Sequence, residues 1–395
     1  MLKNIDCCLK DKSCCGCGAC VNICPTKAIC YSNDEYGFII PKIDETLCVS
    51  CGKCLEICPA RKDNSSATLE TYAATNKQDN ILVKSSSGGI FFAIAQKVIR
   101  EGGVVFGCTM DNQFQVKHIR IDSLEALPMI LKSKYVQSFL GQIYCEIKHI
   151  LTIENKVVLF CGTPCQVSAL KNFIGVKNSE KLLTVDLVCH GVPSQQFFDD
   201  YRNFLEVSTG KKIEEYIFRY KSKKDKSMNW YIAYKKSGQK ITIKNWPEDS
   251  YNYLYMQSLI YRDSCYQCRY TKQERTGDFT LCDYWGWEKL HSEFSYKDSV
   301  SAVLINTEKA KKIFESISND FIFCKTSLQN VIAHNSCLKE HTQKIEERNQ
   351  VLRTWKLKGY DFIDKTFKKK HHKQILKYSI MRHIPKKILY KLTRK

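Results

Sequence analysis

The spacing Cys14-x2-Cys17-x2-Cys20-x3-Cys24-Pro25 recurs as Cys48-x2-Cys51-x2-Cys54-x3-Cys58-Pro59, with every position displaced by 34 residues. Three thiolates at two-residue intervals can wrap one iron–sulfur cube, while the fourth, beyond a short helical turn and next to proline, reaches towards another. The expected ligation is therefore crossed: Cys14, Cys17, Cys20 and Cys58 hold one 4Fe–4S cluster, and Cys48, Cys51, Cys54 and Cys24 hold the second. Zinc is the competing reading, but zinc sites normally pair two C-x2-C hooks across a longer stretch and do not end in Cys-Pro. Gly18 and Gly52 lie inside the loops, where a missing side chain lets backbone N–H groups approach sulfide. Cys7, Cys8, Cys15 and Cys30 fall outside the pattern and read as spare or small packing residues.

This repeat dominates the cysteine content, since 12 of the 22 cysteines precede residue 59. A segment that short cannot bury a large apolar core, so it needs an inorganic nucleus. Elsewhere the chain is ordinary: 44% apolar and 26% charged residues exclude wholesale disorder, and 395 residues allow two or three domains. The apolar runs, such as Ile90–Ala95 and Val157–Cys161, stop far short of the roughly 20 residues that cross a bilayer. The opening Met1-Leu2-Lys3-Asn4-Ile5-Asp6 lacks the apolar core of a secretory signal, so the expected location is the reducing cytoplasm, where disulfides are rare.

Residues 1–62 resemble the bacterial two-cluster ferredoxin domain, most closely over about residues 7–62. The small polar stretch 60–70 reads as a linker. Tyr72–Thr75 reads as a strand, and Lys84-Ser85-Ser86-Ser87-Gly88-Gly89 precedes a helix whose apolar positions Ile90, Ile94, Ala95, Val98 and Ile99 keep helical spacing. Gly102-Gly103 ends that helix, and Val104–Thr109 is a buried strand by composition. Val157–Phe160 and Leu182–Val188 are strands, each followed by a Gly/Pro turn carrying cysteine, which predicts parallel neighbours with both turns at the carboxyl edge of a sheet. Residues 213–244 read as antiparallel strands, and 250–290 as a loop-rich stretch with the hook Cys265-x2-Cys268. The expected fold class is an α+β and α/β multidomain chain, with a ferredoxin-like domain ahead of a mixed α/β flavin and iron–sulfur part. The segments are 1–62, 70–150, 151–350 and a basic amphipathic tail at 356–395.

Five motifs occur in one order: Lys84–Gly89, Lys132-Ser133-Lys134-Tyr135-Val136-Gln137-Ser138, Gly162-Thr163-Pro164-Cys165-Gln166, Asp186–Ser194, and Cys265-x2-Cys268 with Arg275-x2-Asp278. Over about residues 10–350 the chain resembles the beta-subunit family of coenzyme F420 hydrogenase and dehydrogenase. That family includes F420-reducing subunits, reductases of the chlorophyll cycle and stand-alone bacterial proteins. The resemblance implies one FAD, a third 4Fe–4S cluster on Cys165, Cys189, Cys265 and Cys268, and clusters leading to the flavin. A zinc site or free core thiols remain the other readings of those four, and Cys161 and Cys282 compete as ligands. A Ser/Gly turn opening a helix suits a pyrophosphate, which makes Ser86, Ser87, Gly88 and Gly89, with Thr163, the cofactor-binding candidates. An ordinary Ser N-cap is the alternative. No G-x-G-x-x-G follows a strand, so a nicotinamide-binding unit is not indicated. Lys134 and His190 are the catalytic candidates. Lys134 would pair with phosphate or with negative charge on a reduced flavin, or else be a solvated lysine. His190 would pass a proton, an unperturbed imidazole titrating near 6.5, or else simply hold its turn. Arg275 and Asp278 read as an ion pair bracing the Cys265 loop or as ligand contacts.

The resulting expectation is an FAD-dependent iron–sulfur oxidoreductase joining one-electron cluster transfer to two-electron flavin chemistry on a small-molecule substrate. The alternatives are an electron-transfer subunit of a larger complex without its own substrate chemistry, and an accessory protein of polysaccharide biosynthesis. Its partners would be a ferredoxin-like carrier or a redox enzyme, and a homo-oligomer is among the assemblies allowed. Family membership does not fix the use of coenzyme F420 itself. Of the net charge of +20, residues 356–395 carry +12, from 14 Lys and Arg against Asp361 and Asp364. With apolar Ile375, Leu376, Ile380, Met381, Ile384, Ile388, Leu389 and Leu392, and Pro385 splitting two short helices, the tail suits an anionic membrane surface on the inner face. Packing on the protein's own acidic face is the alternative. No nucleic-acid-binding fold accompanies the charge.

Overall fold

The computed structural model describes residues 4–222, 231–294, 299–343 and 346–381. Near the N-terminus, β1 (Ile29–Asn33) and β2 (Ile39–Ile43) pair antiparallel, Ile29 opposite Ile43. There follow β3 (Glu70–Asn76), β4 (Val104–Met110), β5 (Val116–Ile121), β6 (Val158–Gly162), β7 (Leu182–Leu187), β8 (Ile213–Ile217), β9 (Tyr231–Lys236), β10 (Thr242–Asn245), β11 (Phe279–Asp283), β12 (Ser301–Ile305) and β13 (Phe321–Lys325). Eight of them form one sheet in the order β13-β3-β12-β11-β7-β6-β4-β5, and β10-β9-β8 form a second. The centre of the large sheet is parallel across β4, β6, β7 and β11, with antiparallel pairings at both flanks. Segments 70–150 and 151–350 therefore share one sheet and one core.

Side chains alternate across a strand, and helices cover both faces of this sheet. Val158 and Phe160 of β6 pack with Val167, Leu170 and Phe173 of the Pro164–Ile174 helix. Leu159 faces the other way, into a cluster with Ile90, Ile94 and Val98 of the Ile90–Arg100 helix and Phe314 of the Glu308–Ile317 helix. The N-terminal module is built into this scheme on two sides. Cys17 and Ala19 belong to the cluster around Phe160, and Phe38 belongs to an aromatic cluster with Phe197, Tyr251 and Trp355.

Two regions depart from the expectation. The loop-rich stretch 250–290 contains the Ser250–Met256 helix and the short central strand β11. Thr280 of β11 is buried and hydrogen-bonded to Arg275 and Asn306, and the alternation Phe279-Thr280-Leu281 is too short to stand out from the loops around it. The basic segment begins inside a packed helix, Glu346–Met381, which bends at Gly359 (φ 74°) and His371. Leu352, Trp355, Tyr360, Ile363 and Phe367 are buried against the aromatic cluster or its rim, and Trp355 Nε1 donates to Asp200 Oδ2 at 2.9 Å. Beyond Phe367 the helix exposes Leu376 and Ile380. Pro385 and the apolar positions from Ile384 to Leu392 lie outside the described residues. Among the described residues, no helix is long and apolar enough to cross a membrane.

Candidate iron–sulfur and redox site

The duplicated motif folds around two cavities. One is lined by Cys14, Cys17, Cys20 and Cys58 with Ile5, Tyr31 and Pro41; Cys15 and Cys54 also reach its wall. The other is lined by Cys24, Cys48, Cys51 and Cys54 with Asn4, Ile29 and Thr26. Each cavity thus receives three cysteines from one motif copy and the Cys-Pro cysteine from the other. The chain turns back through the helices Ala19–Ile23 and Lys53–Glu56, which contact one another and deliver Cys24 and Cys58 across. A tetrahedral zinc with bonds of about 2.3 Å would hold its sulfurs about 3.8 Å apart. Among the described residues, no three of these cysteine sulfurs lie within 4.8 Å of one another, so the donor spacing suits a larger inorganic core.

The first cavity is clamped to the rest of the molecule by residues that the spacing of cysteines does not reveal. Arg262, almost fully buried just ahead of the Cys265 hook, donates from Nη1 to Cys14 O at 2.8 Å and from Nη2 to Ile39 O. Gln137 Nε2 donates to Cys15 O at 3.0 Å, and the Gln137 N–H donates to Pro193 O. Gly16, at φ +66°, sits beneath both side chains: an added Cβ would lie 2.5 Å from Ile39 O, 2.6 Å from Gln137 Nε2 and 2.8 Å from Arg262 Nη2. Tyr270 Oη donates to Pro59 O at 2.7 Å, fixing the hook loop to the end of the second motif. The only advance signal was the extra cysteine, Cys15, inside a ligand loop.

Cys165, Cys189, Cys265 and Cys268 come together at the carboxyl edge of the central strands. Burial pushes the Cys189 thiol far up, and the nearby Cys265, Cys165 and Cys268 push it further. A hydrogen bond with Cys15, ahead of burial, raises Cys165, while burial takes Cys265 to about 12 and Cys268 to about 11. The four cysteines are close enough to influence one another, and four thiols are the donor set that a 4Fe–4S core takes. Cys161 faces Cys108, Asp186 and Lys134, and Cys282 faces Asp283, Arg275 and Asp186, so neither shares that neighbourhood. Arg275 pairs with Asp186 at 3.3 Å, not with Asp278, and bonds the carbonyls of Tyr270, Lys272 and Leu187. It braces the hook against the end of β7. Asp278 instead receives the Thr184 N–H and hydroxyl at 2.8 and 2.7 Å.

The same sheet edge is open. Leu159 and Val185 are fully buried within β6 and β7, yet Leu187 at the end of β7 is 39% exposed, His190 is exposed, and Cys161, Cys282 and Asp283 are half-buried. The exposed carboxyl ends of parallel strands are where sheets of this kind take ligands. Ser86 Oγ meets Ser133 Oγ at 2.9 Å and accepts from the Ser133 N–H, joining the Ser86–Gly89 turn to the 132–135 loop. Ser87 Oγ donates to Val300 O, and the Gly88 N–H donates to Ser301 Oγ at 2.8 Å, so part of the turn's donor set is engaged within the fold. Gly89 opens the Ile90–Arg100 helix at φ +79°. Lys134 Nζ donates to Cys108 O at 2.8 Å and Leu131 O at 2.6 Å, and burial lowers its pKa to about 8. Lys221, buried, reaches Ser87 O and Ser299 Oγ, so one cation lies against the turn, while Arg219 pairs with Asp283 at 2.6 Å. Thr163 caps the Pro164–Ile174 helix and lies 3.2 Å from Cys165 Sγ. His190 Nδ1 lies 3.4 Å from Cys337 Sγ.

Comparison with known proteins bears on both parts. Residues 13–62 match the sequence model of the 4Fe-4S dicluster domain, and residues 155–330 match that of the C terminus of the coenzyme F420 hydrogenase/dehydrogenase beta subunit. No curated protein matches the chain. Among solved structures, a chain of the xenon-derivatized F420-reducing NiFe hydrogenase complex from Methanosarcina barkeri aligns over 76% of this chain and 92% of its own. The two are 17% identical, with a TM-score of 0.46. With its duplicated cysteine loops and its mixed sheet, the chain is an iron–sulfur electron-transfer protein that joins a 4Fe–4S dicluster domain to a domain similar, over residues 155–330, to the C terminus of the coenzyme F420 hydrogenase/dehydrogenase beta subunit.

Proposed function

We propose that the chain exchanges electrons with an external ferredoxin-like carrier through the dicluster domain. From there they reach a third 4Fe–4S cluster on Cys165, Cys189, Cys265 and Cys268, and an FAD at the adjoining sheet edge that reduces or oxidises a small organic substrate. The observation that carries this reading is the seating of the first ligand loop against the sheet domain: Arg262, three residues ahead of Cys265, donates to Cys14 O at 2.8 Å, and Gln137 donates to Cys15 O at 3.0 Å. A bound flavin would supply the exchange between hydride and single electrons that clusters lack. Lys134 sets a buried positive charge beside Cys161 and steadies the loop through backbone carbonyls. The turn at Ser86–Gly89 opens a helix and has Lys221 bonded to Ser87 O, a setting suited to a pyrophosphate. Cys337 holds the His190 ring at Nδ1, leaving Nε2 as the nitrogen for proton exchange.

The test is anaerobic purification with iron, sulfide and flavin quantified per chain. About 12 irons and one FAD are expected. Eight irons without flavin would overturn the flavin and third-cluster parts and leave electron transfer alone. A second reading concerns location: Lys368, Lys369, Lys370, Lys373 and Lys377 share the helix end that exposes Leu376 and Ile380, which suits an anionic bilayer surface. Flotation with phosphatidylserine liposomes, with and without residues 368–395, tests it. Equal flotation of both chains would dismiss it.

A further inference from the structure

We propose that His291, Glu293 and Cys324 form a binding site for one divalent transition-metal ion of zinc-like softness. The site lies outside the cysteine motifs, where the loop after β11 meets the edge strand β13. Their ligand atoms all lie within 4.8 Å of one another, the one such trio among the described residues. Cys324 Sγ stands 3.2 Å from His291 Nδ1. A tetrahedral zinc with ordinary bond lengths would set this pair about 3.6 Å apart, so the side chains need open by only a few tenths of an ångström.

The second observation is the far side of the imidazole. His291 Nε2 is held by Tyr284 Oη at 3.1 Å and Thr326 Oγ1 at 3.2 Å, and these two hydroxyls bond each other at 2.8 Å. A ligating histidine is typically fixed in this way, with one nitrogen engaged by a partner that sets the tautomer and the other presenting its lone pair. The imidazole is buried, whereas Glu293 is exposed, so an ion can enter from solvent. One thiolate, one imidazole and one carboxylate suit zinc better than calcium or magnesium, which prefer oxygen alone. Three protein ligands leave a fourth position for water or a small anion. The ion would pin the Tyr284–Phe294 loop to β13, which pairs with β3 alone.

The experiment uses the full chain with its clusters loaded anaerobically. Zinc is titrated against a competing chelator into the wild type, Cys324→Ser, His291→Gln and Tyr284→Phe, with iron and sulfide measured alongside. The wild type is expected to retain about one zinc more than Cys324→Ser and His291→Gln, at unchanged iron, with X-ray absorption showing one sulfur among nitrogen and oxygen ligands. Tyr284→Phe, which keeps all three ligands, is expected to bind about tenfold more weakly. Wild-type protein that retains no zinc overturns the site even if a ligand variant fails to fold. So does zinc uptake equal to that of a folded Cys324→Ser, or a zinc spectrum with two or more sulfurs.

Discussion

The two copies of the cysteine motif have one spacing and opposite surroundings. Around the cavity of Cys14, Cys17, Cys20 and Cys58, three of the four cysteines are buried, and Arg262, Gln137 and Tyr270 tie the loops to the larger domain. Around the cavity of Cys24, Cys48, Cys51 and Cys54, Cys51 is exposed, flanked by Leu47 at 49% and Val49 at 65% exposure. Ligand spacing decides that a cluster can form. The residues packed outside it decide whether the cluster faces solvent or the interior, and hence its potential and its partner.

The largest expected effect comes from breaking each copy in turn. Cys51→Ser should lose about four irons and keep its fold, whereas Cys17→Ser should lose the same iron and also most soluble protein, because Cys17 is part of the core around Phe160. Iron content beside the recovered soluble fraction reads both, and equal solubility would erase the distinction. Next, Arg262→Ala removes two charge-assisted hydrogen bonds from the inner side and should cost about 3 kcal/mol, read as the denaturation midpoint and as faster proteolysis between the module and the sheet. Gly16→Ala forces a Cβ into three polar atoms at positive φ and should cost about 2 kcal/mol, with the electron paramagnetic resonance of the inner cluster altered before that of the outer. The smallest stability change belongs to the outer side. Leu47→Asp with Val49→Asp should slow reduction by a ferredoxin-type carrier several-fold while moving stability by no more than about 0.5 kcal/mol.

The iron–sulfur module was legible because its ligands are local in sequence and cysteine spacing is a direct geometric constraint. The parallel pairing of β6 with β7 was legible from two apolar runs that each end in a Gly/Pro turn. What stayed hidden depends on contacts between distant residues. Arg262 has no neighbouring pattern that separates it from a solvated arginine, and Arg275 found Asp186 on another strand instead of the nearer Asp278. β11 was obscured because its alternation, Phe279-Thr280-Leu281, spans only three residues inside a polar, loop-rich stretch. The segment 356–395 read as a membrane-surface tail because its charge outweighs the buried Tyr360, Ile363 and Phe367, of which Tyr360 packs on Phe197 and Tyr201. Grouping Cys165 and Cys189 with Cys265 and Cys268 rested on likeness to a family, since nothing local links residues a hundred positions apart.

Because Cys17 and Ala19 sit in the same apolar cluster as Phe160 and Val167, the inorganic centre and the hydrocarbon interior share a wall. Maturation and folding are then one event: a nascent chain short of iron or sulfide leaves that wall unbuilt, and cellular proteases, acting on the open form, would register the shortage as lower abundance.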